Sequence, residues 1–314
     1  VGGDVEQHGK PLPSTAAAPN RLIYRGQIAH VEFVSAKPAR FGEIEETQET
    51  TSEQMHERGC PTEPPPLHRD TRALLASMGE GGKARALYSH QAEAISALRA
   101  GHNAIVSTPT ASGKSLIFNV PVLDSVFRHI EEADTSGGDS GEDDRPRALY
   151  LFPTKALAQD QQRALSEMLK TAGAGSPTRD SFSRVVTGTY DGDTEFAERA
   201  RLRSHGHILL SNVDMLHLSI LPNHRQASTG WGDFLRNLKF VILDEAHSLS
   251  GAFGAHAALV LRRMTRLCQL YGNSGPQFVL CSATIGNPRQ HLARLVPSYA
   301  PRHVSHRPHT AITV

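Results

Sequence analysis

Cysteine is scarce in this 314-residue sequence. The three cysteines, Cys60, Cys268 and Cys281, lie far apart, and no Cys-x-x-Cys pair occurs. Zinc sites and disulfide frameworks usually show paired spacing, so its absence argues against a zinc centre and favours a reducing compartment. The 17 histidines are likewise scattered, without the regular spacing of metal ligands. We therefore expect no zinc-based chemistry.

Long apolar runs and a leader sequence are missing as well. No run of 18 apolar residues is present, so we expect no membrane-spanning helix and no membrane partner. The first residues lack the charged and apolar regions of a signal peptide. Hydrophobic residues nevertheless make up 39% of the chain, which is enough for the core of one large or two ordinary domains.

Charge of one sign dominates only locally. The formal net charge is +1, but residues 131–144 hold seven acidic residues and no basic one. The remainder is therefore mildly basic, which fits contact with a polyanion. We expect residues 131–146 to be a disordered acidic insertion at the surface; the alternative is an acidic mimic of nucleic acid that inhibits the protein. Residues 1–83 form a predicted N-terminal extension, partly disordered, with short strands and one helix from Thr71 to Met78.

The central motif of the chain is the stretch from Thr108 to Ser115, which lies between a short apolar run and an amphipathic one. This order predicts a strand, a phosphate-binding loop and a helix, although the strict pattern has glycine in place of Thr108. Small residues allow backbone N–H groups to turn toward an anion, and the helix points its positive end there. On this loop alone, a simple Gly/Ser turn before a helix remains an alternative. The residues expected to hold ATP are Thr110, Ala111, Ser112, Gly113, Lys114 and Ser115, with Lys114 on the β- and γ-phosphates and Ser115 on Mg²⁺.

An acidic box follows the most apolar predicted strand, residues 238–243. Asp244 is typical of the second Mg²⁺ ligand in phosphate-loop proteins. Glu245 is placed to orient and deprotonate an attacking water. His247 is expected to sense the γ-phosphate and relay its loss. Together with Lys114, these three residues are the catalytic candidates, and an ordinary acidic strand end is the alternative.

Gln91 lies in the first turn of a predicted helix, about 20 residues before the phosphate loop. A glutamine amide offers one donor and one acceptor side by side, which is what the edge of an adenine requires. By itself the residue is more simply explained as a solvated glutamine at a helix start. Its position before a phosphate loop resembles that in ATP-dependent helicases, and on that resemblance we predict that Gln91 binds the nucleotide.

Several other predicted strands end in turns of small, hydrogen-bonding residues. The strand Val185-Val186 leads into a turn at Thr187–Thr189, another ends at Ser211, and a third leads to Pro153. In an open α/β sheet such turns share the ligand-bearing edge. Backbone N–H groups beside Lys155 suit a nucleic-acid phosphate. The hydroxyls of Ser282 and Thr284 can couple phosphate sensing to the binding of nucleic acid, although by itself this triplet is better explained as a helix cap.

Strands and helices alternate from about residue 84 to 296, which predicts an α/β fold with a mainly parallel sheet and helices on both faces. In this order the motifs resemble the first RecA-like domain of a superfamily 2 DEAD/DEAH-box helicase, a P-loop NTPase fold. We assign residues 84–314 to this RecA-like ATP-binding domain.

A finer resemblance is to the Hrq family, RecQ-like helicases of the Rothmund–Thomson type, and a fungal source is expected. It rests on Tyr88–Ala92, Thr108–Thr110, Phe152–Asp160, Tyr190–Thr194 and Gly26–Val31, while Ala246 stands where the family more often has leucine. The resemblance implies ATP-dependent 3′-to-5′ DNA unwinding in genome maintenance and crosslink repair. It also implies a nuclear location in a eukaryote and a cytoplasmic one otherwise.

The resemblance further implies that single-stranded or forked DNA is bound mostly through its backbone, independently of base sequence. Such binding should weaken with salt. The residues expected to contact nucleic acid are Pro153, Thr154, Lys155, Gln159, Thr187, Gly188, Thr189, Ser211, Asn212, Asp214 and Met215.

A helicase of this kind needs a second RecA-like domain with arginine fingers, which stabilise charge on the transferred phosphoryl group. The sequence shows no such domain, so we expect the first half of a motor, weakly active or inactive by itself. Two alternatives remain open: an RNA helicase and a non-catalytic nucleic-acid-binding module. A kinase or transport ATPase with a phosphate loop should show a lid or a signature motif in place of the acidic box and the Ser282–Thr284 segment, and the sequence shows neither.

Overall fold

A computed structural model of the chain describes residues 28–32, 38–39, 65–79, 87–109, 112–135, 144–283, 285–296 and 309–313. The strands within these ranges are β1 (Ile28–Glu32), β2 (Pro38–Ala39), β3 (Leu87–Tyr88), β4 (Asn103–Ser107), β5 (Arg147–Leu151), β6 (Thr187–Thr189), β7 (Ile208–Ser211), β8 (Leu238–Leu243), β9 (Gln277–Ser282) and β10 (His309–Thr313).

The α-helices alternate with these strands. They are α1 (Arg69–Ser77), α2 (Ser89–Arg99), α3 (Lys114–Thr135), α4 (Lys155–Ala174), α5 (Arg179–Ser183), α6 (Phe196–His205), α7 (Val213–Met215), α8 (Trp231–Arg236), α9 (Gly251–Leu270) and α10 (Pro288–Leu295). Helix α7 continues as a π-helix over Leu216–Ile220, and short 3₁₀ turns span Ala227–Thr229 and Ala246–Ser248.

Eight strands form one sheet in the order β1-β10-β4-β9-β8-β5-β7-β6, and every neighbouring pair is parallel. Parallel neighbours cannot be joined by a tight turn, so helices supply the crossovers. Every residue of β4, β5, β7 and β9 is buried, as expected for strands covered on both faces. The predicted parallel α/β fold is confirmed.

The core lies on both faces of this sheet. Leu149 and Leu151 of β5 pack into one hydrophobic cluster, and Ala148 and Tyr150 pack into another. This alternation follows from the two-residue repeat of a strand. Each fully buried large apolar side chain contributes roughly 1.5–3 kcal/mol, so these clusters are the main source of stability. None of the helices in the described ranges combines the length and apolar character needed to cross a bilayer.

The acidic insertion was predicted to begin at residue 131. This boundary is wrong, because α3 continues through Glu131 and Glu132 to Thr135. Basic side chains from elsewhere in the fold compensate its last turns. Glu131 lies 2.9 Å from the ring Nε2 of His68, and Asp134 lies 2.7 Å from Arg184. The hydrogen bond from Arg184 also lowers the pKa of the Asp134 carboxyl. Residues 136–143, the remainder of the predicted insertion before Asp144, lie outside the described residues.

The helix predicted within the N-terminal extension is present as α1. Its Leu74 is fully buried in the same cluster as Phe127 of α3. The backbone N–H of His68 donates to Asp124 Oδ1 at 2.6 Å, which ties the start of α1 to α3. Residues on both sides of the predicted boundary at 83 therefore share one core.

Candidate functional site

The phosphate loop, the acidic box and the segment after β9 meet at one edge of the sheet. They follow β4, β8 and β9, which are adjacent parallel strands, so their carboxyl ends share one edge. Ser107 is paired in register with Ser282, and the N–H of Thr108 donates to the Ser282 carbonyl at 3.2 Å. The fold thus brings together three motifs that are far apart in sequence.

Lys114 begins α3 and folds back across the phosphate loop. Its ammonium donates to the carbonyl oxygens of Thr108 at 3.1 Å and Pro109 at 2.9 Å. Gly113 before it has a φ of +75°, in the left-handed region that favours glycine. A Cβ on Gly113 would come within 2.4 Å of Gln91 Nε2. Thr110 and Ala111 lie outside the described residues, so their predicted contacts stay predictions.

Gln91 is fully buried against the phosphate loop. Its Nε2 donates to the Gly113 carbonyl at 2.9 Å, and its Oε1 accepts from the backbone N–H of Tyr88 at 3.0 Å. The side chain therefore braces the loop against the start of α2, and an adenine contact would require the amide to exchange partners. That contact stays a prediction, while the predicted alternative of a solvated glutamine is wrong.

His90 also supports the loop, and the sequence interpretation missed it. Its Nε2 lies 3.3 Å from the carbonyl oxygen of Ser112, and its ring stacks on Tyr88 with centroids 5.6 Å apart. Burial lowers the pKa of His90. Burial beside the loop therefore disfavours the charged form of this histidine. A histidine next to Gln91 carries no sequence signal of its own, because the contact depends on where the loop folds.

The acidic box contains the only non-glycine residue of the described ranges with a positive φ. That residue is Glu245, with a φ of +50°. The Asp244 N–H donates to the Leu151 carbonyl at 3.1 Å, and Asp244 Oδ1 accepts from the Glu245 N–H at 3.0 Å. Left-handed backbone costs roughly 1–2 kcal/mol for an L-residue. Such strain is typically found where a side chain must be aimed at a reacting group.

Among the predicted site residues, Asp244 has the electrostatic environment that most clearly indicates a ligand site. Burial raises the pKa of its carboxyl from an ordinary 3.8 to about 6, although the Glu245 N–H bond opposes the shift. A buried carboxylate without a cation is unfavourable, and Mg²⁺ prefers a few hard oxygen ligands plus substrate phosphates. The Asp244 carboxylate and the Ser115 hydroxyl have this chemistry, so the residues fit the predicted metal. The described residues contain no cluster of three acidic, histidine or cysteine side chains that could hold a metal alone.

Replacing Asp244 with asparagine is expected to stabilise the metal-free chain. Because ionising this carboxyl is unfavourable in the folded state, the contribution of Asp244 to the free energy of unfolding should fall as pH rises from about 4 to about 6. The gain from Asp244→Asn should grow over that window and level off above it, at roughly 1–3 kcal/mol. Urea unfolding in EDTA between pH 4.5 and 8 measures this difference.

Asp134→Asn is the matched control, because Arg184 lowers the pKa of that carboxyl and the change should bring no gain. An Asp244→Asn chain that is no more stable than wild type at pH 8 would contradict the interpretation.

His247 links the acidic box to the segment after β9. Its Nδ1 lies 3.3 Å from Glu245 Oε2 and 3.4 Å from the N–H of Ala283. A protonated Nδ1 donates to Glu245, whereas an unprotonated one accepts from Ala283, so the two contacts are alternatives. The ring can therefore exchange partners between the predicted catalytic carboxylate and the strand that follows. Ser282 is buried, with no partner for its hydroxyl within the described ranges, and Thr284 lies outside them.

Two further residues secure this edge without having been predicted. Ser107 Oγ donates to the Ala283 carbonyl at 3.1 Å and accepts from the Ile285 N–H at 3.1 Å. His291 of α10 lies 2.7 Å, through Nε2, from the carbonyl of Ala246. Both contacts join segments separated by more than 40 residues, so no local pattern could have indicated them.

The turns after β5 and β7 provide capped helix starts at the same edge. Thr154 Oγ1 accepts from the Leu157 N–H at 3.3 Å, and Asn212 Oδ1 accepts from the Met215 N–H at 2.8 Å. Thr154, Lys155, Gln159 and Asp214 are exposed, and Pro153, Asn212 and Met215 are half-buried. These predicted contact residues are therefore accessible.

A cavity of about 20 Å³, enough for one water molecule, lies between the two parts of the site. The predicted residues on its wall come from the acidic box and from both strand-end turns. The wall also includes Phe253, an aromatic residue of α9 that sequence reasoning missed. The residues of the wall are Leu151, Phe152, Pro153, Asn212, Val213, Asp214, Asp244, Leu249 and Phe253.

The prediction that Thr187–Thr189 form a turn after a strand is wrong, because these residues are strand β6 itself. Thr187 Oγ1 accepts from Gln162 Nε2 at 2.9 Å, and a Cβ on Gly188 would lie 2.8 Å from Leu202. A larger residue at this position would require the Leu202 side chain to shift. Ser211 is buried, and its hydroxyl donates to the Tyr190 carbonyl at 2.6 Å. The nucleic-acid contacts of Gly188 and Ser211 stay predictions. Only the backbone groups of these two residues are available to make such contacts.

Known proteins share this arrangement. The DEAD/DEAH box helicase family matches residues 88–292. The chain is 42% identical over 220 residues to the ATP-dependent helicase HRQ1 of Saccharomyces cerevisiae, which covers 70% of this chain and 18% of that protein. It is 40% identical over 237 residues to the uncharacterized ATP-dependent helicase YprA of Bacillus subtilis, which covers 76% of this chain and 28% of that protein.

A solved structure of the DUF1998 helicase MrfA bound to DNA and AMPPNP has a TM-score of 0.61 and 36% identity, covering 82% of this chain and 30% of that one. The chain thus spans less than a third of the length of each of these relatives. The chain belongs to the DEAD/DEAH-box helicase family and is similar to ATP-dependent helicases of the Hrq and MrfA type.

Proposed function

We propose that this domain binds Mg-ATP at the phosphate loop and single-stranded DNA along the turns after β5, β6 and β7. Hydrolysis would drive 3′-to-5′ unwinding. The observation that carries the proposal is the shared edge of the sheet. Asp244 of the acidic box and Asn212 of a strand-end turn line the same small cavity. A conformational change on binding or losing the nucleotide can therefore alter the contacts of the turn with DNA.

The nucleotide half of the proposal follows from the chemistry of the loop. Lys114 exchanges its two carbonyl partners for phosphate oxygens, which are stronger acceptors because they are charged. Ser115 and Asp244 would hold Mg²⁺, which would neutralise charge on the phosphates. Glu245 orients the attacking water and takes its proton, and His247 responds to the loss of the γ-phosphate through its exchange of partners.

DNA is favoured over RNA by the relative at 36% identity, whose structure is described as bound to DNA and AMPPNP. An RNA substrate is the second candidate. A second RecA-like domain would supply the arginines that stabilise the transferred phosphoryl group. A role in genome maintenance and crosslink repair, in the nucleus of a eukaryote, belongs to the same proposal.

Binding of matched oligonucleotides tests the proposal. Fluorescence anisotropy should show tighter binding of the 314-residue chain to single-stranded DNA than to RNA of the same sequence. The affinity should fall linearly on a log–log plot against salt. Lys155→Ala should weaken binding for all sequences and reduce that salt slope by about 1.

Lys170→Ala is the control, since this exposed lysine lies 15 residues further along the same helix, about 22 Å away. Failure of the wild-type chain to bind single-stranded DNA, or tighter binding of RNA, would overturn the assignment.

A further inference from the structure

The lysine predicted to bind nucleic-acid phosphate is already paired within the protein. Lys155 Nζ lies 2.9 Å from Asp193 Oδ2, and both side chains are largely exposed. The hydrogen bond that Lys155 donates to the Asp193 carboxylate raises the pKa of the ammonium, which favours its charged form. The pair joins the start of α4 to the turn after β6, across 38 residues of sequence. It is therefore a tertiary contact at the proposed binding edge.

Asp193 is held in place by the turn that carries it. Asp191 is buried, and its Oδ1 accepts from the N–H groups of Asp193 at 2.8 Å and Thr194 at 3.1 Å. Arg199 donates to the carbonyls of Asp191, Gly192 and Thr194 at 2.7–2.9 Å. Its guanidinium also lies over the ring of Tyr190. These contacts hold the turn in one conformation and leave the Asp193 carboxylate exposed at its tip.

We propose that Asp193 is a built-in competitor for nucleic-acid phosphate, whose carboxylate occupies Lys155 in the free protein and is displaced when a phosphate binds. The inference rests on the proposed binding of nucleic acid at this edge. A carboxylate and a phosphate oxygen are both anionic acceptors for an ammonium group, so one can replace the other. Exposed ion pairs are weak, which makes the exchange easy.

The surroundings of the pair favour displacement over a purely structural role. Two other ion pairs of α4 and α6, Asp160 with Arg163 and Glu198 with Arg201, join neighbours within one helix. Lys155 instead reaches out of α4 to the tip of another segment. The turn itself is braced by Asp191 and Arg199 and does not depend on the Asp193 side chain. Loss of the pair should therefore leave the turn folded while freeing Lys155.

The proposal also explains what Asp193 does to an incoming strand. Until it is displaced, the carboxylate both occupies the ammonium and repels a phosphate nearby. Weakly held or isolated anions would therefore compete poorly for Lys155. A polyanion that engages several turns of the edge at once would overcome this barrier. The Asp193 carboxylate therefore lowers the affinity for anions that make few contacts. It also makes binding depend on ionic strength.

Asp193→Asn tests the inference, with Asp134→Asn as the matched control. Both changes remove one exposed carboxylate from a tertiary ion pair, but Asp134 lies near the far end of α3, about 30 Å along the helix from the phosphate loop. At about 50 mM salt, Asp193→Asn should bind single-stranded DNA roughly two- to fivefold tighter than wild type. The ratio should shrink as salt is raised, because screening weakens the pair. Asp134→Asn should leave the affinity almost unchanged.

A double-mutant cycle with Lys155→Ala shows whether the effect runs through the lysine. In that background, the gain from Asp193→Asn should fall to the smaller part that comes from removing the repulsion of a nearby phosphate. An equal gain with and without Lys155, a gain no larger than that of Asp134→Asn, or weaker binding by Asp193→Asn would overturn the inference while leaving DNA binding intact. A wild-type chain that does not bind DNA would instead overturn the proposed function on which the inference rests.

Discussion

Replacing Lys114 with alanine is expected to lower the affinity of the chain for Mg-ATP by about ten- to a hundredfold, since hydrogen bonds to charged groups contribute roughly 1.5–3 kcal/mol each. In the free protein the ammonium lies on the carbonyls of Thr108 and Pro109, where phosphate oxygens can take their place. Alanine removes the cation and leaves only the backbone N–H groups and the helix end to hold the phosphates. Titration calorimetry with a non-hydrolysable ATP analogue measures the loss.

The control for this change is Lys170→Ala, which removes an exposed lysine near the carboxyl-terminal end of helix α4, outside the phosphate loop. It should bind the analogue as wild type does. Thermal unfolding of both variants should remain close to that of wild type, because neither side chain is part of the core. ATP affinity that survives Lys114→Ala unchanged would indicate a nucleic-acid-binding module that has kept only the fold.

Glu245→Gln is expected to lower ATP hydrolysis by about 10²–10⁴-fold while leaving nucleotide binding almost unchanged. The amide has the shape of the carboxylate but cannot take a proton from water. It also imposes the same backbone cost at a φ of +50°, so the loop geometry should persist. Single-turnover hydrolysis with the chain in excess over labelled ATP detects even a slow rate.

Glu198→Gln is the matched control for Glu245→Gln. Glu198 is paired with Arg201 in α6, and its loss should not change the hydrolysis rate. The decisive pattern is a rate loss without an affinity loss. If Glu245→Gln lost ATP binding as Lys114→Ala does, Glu245 would act in binding rather than in activating water.

Local sequence patterns predicted much of this protein. The apolar runs that became β4, β5 and β9 are buried along their whole length, as strands covered on both faces are. A lysine after small residues and an aspartate after an apolar strand predicted that both motifs lie at one edge of the sheet, and the adjacent parallel strands β4, β9 and β8 place them there. That placement could be predicted because each motif is contained in a few consecutive residues.

The errors came from contacts that no short stretch contains. The acidic residues at the end of α3 look like a disordered run until His68 and Arg184 approach them. Thr187–Thr189 look like a turn until hydrogen bonds to β7 make them an edge strand. In both cases the partner lies in a distant segment, and composition alone favours the wrong structure.

The sequence by itself determined which chemical groups the candidate site contains. A glycine and a lysine at a helix start, and two acids directly after an apolar strand, are typical of phosphate and metal binding and rarely occur together otherwise. Only the tertiary structure decided which partner each group holds in the free state. Gln91 lies on Gly113 across 22 residues, Lys155 on Asp193 across 38, and His247 beside Ala283 across 36. Such pairings depend on how parallel strands bring their ends together, so they exist only once the sheet has formed.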